Sequence, residues 1–328
     1  MIKKFFKNHP MHKKIVPYLD LFYFLKPINF FTIWVMVCIG MYLGLFNLGH
    51  SPQFNSNFSY KVLFLFFGLS GIISSFYIRE QINDQSINEQ NIISYINKKY
   101  SRNFINYLEK GLISLGIIVL IFVNWLNFII GLLLLLINNF IFKNKSILKS
   151  NNQYIYIIYN LSVWLLLMLS GLLFVNVEYG YKLLDIQFII LFLPYFLLYL
   201  SVFLINDILN FLESNDSYFI SSKNNLKIVA AIICLFIFIG FIFAFYTNDP
   251  LASITLITSA PFFLYALVRS MKKDFKRAFI YPLFIINFFC MTIFPFLFIP
   301  CFFVFYLSKY YNWHRFDIHF PTFLVEND

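Results

Sequence analysis

Residues 226–246 read LKIVAAIICLFIFIGFIFAFY, an apolar run whose one charged residue is Lys227, close to its start. An α-helix needs about 20 apolar residues to cross the ~30 Å hydrocarbon layer of a bilayer, so this run is long enough to span a membrane. It carries no polar face that would suit the surface of a soluble domain. The run therefore predicts a transmembrane helix.

The rest of the chain repeats this pattern. Of its 328 residues, 60% are hydrophobic and 12% are charged, and the mean hydropathy is +0.73, which is more apolar surface than one soluble core buries. The sequence predicts an all-α, polytopic membrane protein with about nine transmembrane helices around a central cavity. The predicted spans are Ile28–Gly49, Val62–Ile78, Gly111–Val123, Phe128–Phe142, Tyr154–Val175, Leu184–Ile205, Leu226–Tyr246, Leu251–Val268 and Ala278–Leu307.

Two of the predicted boundaries depend on residues that interrupt long apolar runs. Residues 124–127 read NWLN and divide the third span from the fourth, which predicts a tight helical hairpin. The ninth span is too long for one crossing and contains Pro295 and Pro300. Because proline interrupts the helical hydrogen-bond pattern, we expect this segment to kink or end there.

The basic residues predict the orientation. With nine spans, all but four of the 25 Lys and Arg residues fall on the side of the N-terminus, and this side is therefore predicted to be cytoplasmic. The predicted organisation is a basic cytoplasmic N-terminus (1–27), a single transmembrane domain (28–307) with cytoplasmic cap segments 79–110 and 206–225, and a C-terminal tail (308–328). The net charge of +10 suits anionic lipid headgroups and requires no nucleic acid.

Two of the cytoplasmic segments begin with acidic and amide side chains directly after a predicted span. Glu80, Asp84 and Asn88 follow the second span at helical spacing, so a continuing helix places them on one face. After the sixth span, Asp207, Asn210 and Ser214 share a face in the same way. Both segments fall on the same predicted side of the membrane.

Oxygen ligands of this kind suit Mg²⁺, which is commonly held by one or two carboxylates together with substrate phosphates. Lys145, Lys149 and Lys223, on the same predicted side, are candidates for binding the remaining phosphate oxygens. The competing interpretation is that both segments are ordinary solvated loops. The four cysteines and five histidines show no metal-ligand spacing, which argues against a zinc or haem site.

At the first of these segments the sequence resembles the UbiA superfamily of intramembrane prenyltransferases, whose first motif has a variant written N-Q-I-x-D-x-x-x-D-x-x-N. Residues 80–91 read EQINDQSINEQN, in which Gln81, Ile82, Asp84 and Asn91 match that variant. Glu80 replaces the leading Asn and Asn88 replaces the closing Asp.

The resemblance extends to three other places. Asp207 is similar to the first acid of the family's second aspartate-rich motif, Asn210 stands at its second acidic position, and Ser214 or Asp216 at its third. Lys26-Pro27 is similar to the family's N-terminal Arg-Pro motif. Lys145 or Lys149 lies where the family has a basic residue.

The resemblance implies a Mg²⁺-dependent transfer of an isoprenyl group from a polyprenyl diphosphate to an aromatic or lipid acceptor. It implies that Asp84 and Asp207 are catalytic, and that Lys145, Lys149 and Lys223 bind the diphosphate. The expected metal ligands are Glu80, Asp84, Asn88, Asp207 and Asn210. The expected substrate-cavity residues are Gln81, Asn83, Asn206 and Asp216.

Two other functions stay open from the sequence. Because several motif acids are replaced by amides, a UbiA-like protein that binds a lipid or a partner without catalysis is one alternative. A transporter is the other. Transporters usually place ionisable residues near the middle of the membrane, whereas here the acids follow the span ends, which favours a site at the mouth of the bundle.

Overall fold

In a computed structural model of the protein, the described residues are 10–47, 49, 60–83, 96, 99–143, 153–180, 186–214 and 223–317. All regular secondary structure in these ranges is helical. Eleven α-helices are described. They are α1 (Pro10–Phe24), α2 (Phe30–Asn47), α3 (Tyr60–Asn83), α4 (Arg102–Val123), α5 (Trp125–Lys143), α6 (Gln153–Glu178), α7 (Ile186–Ser214), α8 (Lys223–Tyr246), α9 (Pro250–Arg269), α10 (Lys272–Ile293) and α11 (Phe298–Phe316).

Nine of the described helices, α2 to α10, contain apolar segments long enough to cross a membrane. The prediction of an all-α, multi-pass membrane protein is confirmed. The predicted hairpin is also confirmed, because Asn124 leaves the helical conformation between α4 and α5. Its Oδ1 accepts a 2.7 Å hydrogen bond from the Asn127 backbone N–H, which starts the next helix.

The boundaries differ from the predicted ones at the ninth span and the first cap segment. Helix α10 ends at Ile293, before a 3-10 turn at Pro295–Leu297, and α11 then continues to Phe316. Residues 308–316, assigned to the tail by sequence, are therefore helical. Residues 102–110, assigned to the cap segment, form the first turns of α4.

The described residues fall into two compact units. Unit 1 comprises those within 1–34, 54–138 and 295–322, and holds α1, α3, α4, most of α5, and α11. In this unit α1 packs on α11, where the rings of Tyr23 and Tyr311 stack with centroids 4.0 Å apart. The buried Asp20 carboxylate accepts a 2.7 Å hydrogen bond from the Tyr311 hydroxyl and pairs with Arg315 at 2.7 Å.

Unit 2 comprises the described residues within 35–53 and 139–294, and holds most of α2 together with α6 to α10. Helices α2 and α6 cross with backbones in contact. A methyl group on Gly40 would lie 1.8 Å from the Met168 carbonyl oxygen, and one on Gly171 would lie 1.9 Å from that of Val37. The crossing therefore requires glycine on both helices, as is common where membrane helices pack closely.

Candidate active site

The end of α3, where the first predicted motif begins, is fixed in unit 1 by two polar contacts. Arg79 Nε donates a 2.7 Å hydrogen bond to Glu109 on α4, and this glutamate is buried. Gln81 Nε2 donates a 3.1 Å hydrogen bond to the Phe24 carbonyl oxygen at the end of α1. Between them, the Glu80 side chain is exposed. Helix α3 thus presents one acidic side chain to solvent at the point where the motif starts.

The Lys26-Pro27 motif lies against the same part of α3. Lys26 adopts a left-handed backbone conformation (φ 52°), and Pro27 then begins a 3-10 turn. The Lys26 ammonium lies 5.2 Å from the centre of the Tyr77 ring, a cation–π contact. Phe24 and Ile78 belong to one buried apolar cluster with Ile96 and Ile105. This packing holds the chain before the first span beside the last turns of α3.

In unit 2, helix α7 carries the residues of the second predicted motif. Asp207 is buried, with 2% of its surface exposed, whereas Asn206 and Asn210 are partly buried. Asp207 and Asn210 are three residues apart in the helix and therefore lie on the same face. A carboxylate and an amide oxygen side by side are hard ligands of the type that Mg²⁺ takes, with waters and phosphate oxygens completing its shell. These residues fit a magnesium ion.

An aromatic patch precedes Asp207 on the same helix. Tyr199 and Phe203 lie eight and four residues before Asp207, at the spacing that keeps side chains on one helix face. Both rings contact Trp164 of α6, with centroid distances of 5.2 Å to Tyr199 and 6.3 Å to Phe203. The sequence analysis did not predict this patch. Its only signal for Tyr199 and Phe203 was their spacing of eight and four residues before Asp207.

The remaining predicted site residues are described only in part. Asn83 lies in the last turn of α3 and Lys223 in the first turn of α8, and their side chains are not described. The predicted site residues outside the described ranges are Asp84, Asn88, Lys145, Lys149 and Asp216. Within the part of the chain that the structure describes, no three His, Cys, Asp or Glu side chains form a metal-binding group.

The chain is similar to a solved structure of digeranylgeranylglyceryl phosphate synthase, a membrane enzyme, with a TM-score of 0.54 and 18% sequence identity. The match covers 86% of this chain and 97% of that one. The chain therefore shares the fold of that membrane enzyme.

This shared fold confirms the architecture that the predicted resemblance implies and agrees with an integral, multi-pass membrane protein. No protein-family profile and no curated protein sequence matches the chain. With 18% identity to the structural neighbour, the two chains share a helical framework while most side chains differ. The function must therefore be argued from the residues themselves.

Proposed function

We propose that this UbiA-type protein is a prenyltransferase that moves an isoprenyl group from a polyprenyl diphosphate to an aromatic or lipid acceptor. The observation that carries the proposal is the buried Asp207, which shares a face of α7 with Asn210 and follows an aromatic patch on that helix. A carboxylate and an amide on one helix face offer the hard oxygen ligands with which Mg²⁺ is held beside substrate phosphates. The fold shared with a membrane prenyltransferase supports the same reaction class.

In the proposed mechanism, Asp207 and Asn210 would hold Mg²⁺ through their side-chain oxygens. Asp84 is proposed as a further ligand on the strength of the sequence motif that begins at Glu80. When bound, Mg²⁺ neutralises the negative charge that develops on the departing diphosphate. The bond between the first isoprenyl carbon and the diphosphate oxygen breaks, and its electron pair leaves with the diphosphate. The acceptor atom donates an electron pair to that carbon and releases a proton.

The aromatic patch has a defined role in this scheme. Loss of diphosphate leaves an allylic cation, and the faces of Trp164, Tyr199 and Phe203 stabilise positive charge. Tyr199 and Phe203 are buried, with 2% and 9% of their surfaces exposed. Such burial excludes water, which would otherwise capture the cation as an alcohol.

Three finer assignments belong to the proposal. Lys145, Lys149 and Lys223 bind the diphosphate, and the site opens to the cytoplasmic side of the cytoplasmic membrane, as the distribution of basic residues predicts. The structural neighbour is named for a glyceryl phosphate product. A prenylated glycerol phosphate is therefore the first acceptor class to test, before aromatic rings.

The experiment uses the detergent-purified protein, with binding of geranylgeranyl diphosphate and transfer to acceptors measured with and without Mg²⁺. We expect Mg²⁺-dependent binding that falls at least about tenfold in Asp207→Asn and in Asp84→Ala, since each removes a charged ligand. Glu178→Gln, at the exposed end of α6, is the matched control and should bind as the wild type does. Mg²⁺-dependent binding without transfer to any acceptor would favour the non-catalytic alternative, and binding unaffected by both aspartate substitutions would refute the site.

A further inference from the structure

A second polar site lies in unit 2, in a groove between α9 and α10 at the turn that joins them. The groove has a volume of about 360 Å³ and is lined by Pro261, Phe262, Tyr265, Asp274, Arg277 and Tyr281. Helix α9 ends at Arg269 and α10 begins at Lys272, and both helices contain candidate membrane spans. The groove therefore begins where the two spans meet the membrane surface.

The polar end of the groove is built around a buried acid between two arginines. Asp274 is 1% exposed, whereas the side chains of Arg269 and Arg277 are 41% and 36% exposed. Arg269 Nε lies 3.4 Å from Asp274 Oδ2, and Arg277 Nη1 lies 3.4 Å from Oδ1. One buried negative charge thus lies between two guanidinium groups, with a hydrogen bond from Arg277 and an ion pair to Arg269.

This arrangement leaves positive charge and hydrogen-bond donors for a ligand. A guanidinium has five N–H donors in a planar fork, and the contacts to Asp274 use one nitrogen of each arginine. Arg269 Nη2 also donates to Met271 Sδ at 3.5 Å, so Arg277 has more of its donors left for a ligand. Segment 269–277 contains five basic residues and one acidic residue. In addition, Met271 provides no side-chain cap to the first turn of α10, whose backbone N–H groups add to the positive potential. The site is complementary to a phosphate monoanion.

The opposite end of the groove is aromatic. The rings of Phe262 and Tyr281 contact each other across the two helices, with centroids 4.8 Å apart, and Tyr265 is 60% exposed. Tyrosine is enriched at membrane interfaces because its ring is apolar and its hydroxyl is polar. A ligand here meets charge at one end and an apolar wall at the other, which is the pattern of a phospholipid.

We propose that the groove between α9 and α10 binds the headgroup of an anionic phospholipid, with Arg277 contacting its phosphate and Asp274 acting as a positioning residue for both arginines. Basic pockets between transmembrane helices bind anionic headgroups in this way. The two arginines and Asp274 together carry one net positive charge, and phosphatidylglycerol carries the single net negative charge that balances it. A zwitterionic phosphatidylcholine does not supply it. The inference is independent of the proposed prenyltransferase activity, because none of the groove residues belongs to that site.

The test measures lipid retention by native mass spectrometry of the delipidated, detergent-solubilised full chain, titrated with phosphatidylglycerol or phosphatidylcholine. We expect about tenfold tighter retention of phosphatidylglycerol, because phosphatidylcholine carries the same phosphate but adds a choline cation that the positively charged site repels. Arg277→Gln should abolish most of this preference, and Arg277→Lys should restore part of it because the charge returns without the fork. Arg102→Gln removes an exposed arginine at the start of α4 and is the matched control.

Three results would overturn the proposal. The first is equal retention of the two lipids. The second is an equal loss in Arg277→Gln and Arg102→Gln, which would show that general surface charge retains the lipid. The third is displacement of the lipid by glycerol 3-phosphate at matched concentration, which would show that the site takes a soluble phosphate.

Discussion

The Tyr195 hydroxyl donates a 2.9 Å hydrogen bond to Oδ2 of Asp249, a fully buried carboxylate in the turn between α8 and α9. Oδ1 of the same residue accepts a 2.9 Å hydrogen bond from the Tyr42 hydroxyl and a 3.1 Å bond from the Ala252 backbone N–H. Asp249 therefore caps α9 and joins it to α2 and α7. One side chain connects three helices of unit 2.

We predict that Asp249→Ala lowers the stability of the protein by about 3 kcal/mol. The substitution removes the helix cap and leaves two buried tyrosine hydroxyls without their acceptor. Asp249→Asn keeps an acceptor oxygen and should cost less. Thermal unfolding in detergent measures both variants, and equal melting temperatures for Asp249→Ala and the wild type would contradict the assigned role.

The Asp249 carboxyl should also make the stability of the protein depend on pH. Burial raises the pKa of Asp249 above its ordinary value, although the three hydrogen bonds it accepts oppose the shift. An acid with a raised pKa in the folded state stabilises the fold fully below its unfolded pKa, and this contribution is lost as the pH rises through the folded value. Thermal unfolding scans from pH 4 upward should therefore show a smaller loss of stability in Asp249→Asn than in the wild type.

The α2–α6 crossing gives a steric prediction. Gly40→Ala or Gly171→Ala places a methyl group within 2 Å of a backbone oxygen, so the two helices must separate. Overpacking of this kind costs about 1–3 kcal/mol, and backbone contact places these variants at the upper end. Gly111→Ala in α4 is the control, because the added methyl group has nothing within 4 Å apart from its chain neighbours and the nearby backbone of its own helix. If all three variants melt alike, the crossing is not as close as described.

The Arg79–Glu109 pair allows a test of how the first motif is held. Glu109 is buried, so Glu109→Gln removes the negative charge that the Arg79 guanidinium contacts and should destabilise unit 1 by about 2 kcal/mol. Arg79→Gln should cost a similar amount, and the double variant less than the sum of the two. A double-mutant cycle on unfolding measures this coupling. Strictly additive effects would show that the pair contributes nothing.

Substitution of Gln81 can show whether this residue has a structural role, a substrate contact or both. Its Nε2 bonds to the Phe24 carbonyl oxygen, so Gln81→Met should lower stability by about 1 kcal/mol through that lost hydrogen bond. If Gln81 also lines the substrate cavity, as the sequence resemblance implies, the variant should bind geranylgeranyl diphosphate less tightly at a temperature where it is fully folded. Unchanged affinity under those conditions would restrict Gln81 to the structural role.

Hydropathy alone was sufficient to predict the nine helices of the described ranges that are long and apolar enough to span a membrane, and their order. A spanning helix must satisfy its own backbone and present about 20 apolar residues. The break between α4 and α5 at Asn124 was also predictable, because polar side chains interrupt the apolar run there. Motif spacing was sufficient to single out Asp207 and Asn210 as neighbours on a helix face, since that relationship depends only on helical geometry.

Contacts between distant parts of the chain were decided only by the tertiary structure. In the sequence, Asp249 is an ordinary loop residue. Its role depends on hydrogen bonds from Tyr42 and Tyr195, which lie far away along the chain. The same holds for Trp164 against Tyr199 and for Asp274 at the groove between α9 and α10. An apolar membrane helix has little periodicity to show which face meets which neighbour, so these pairings depend on side-chain shape and hydrogen-bond geometry in three dimensions.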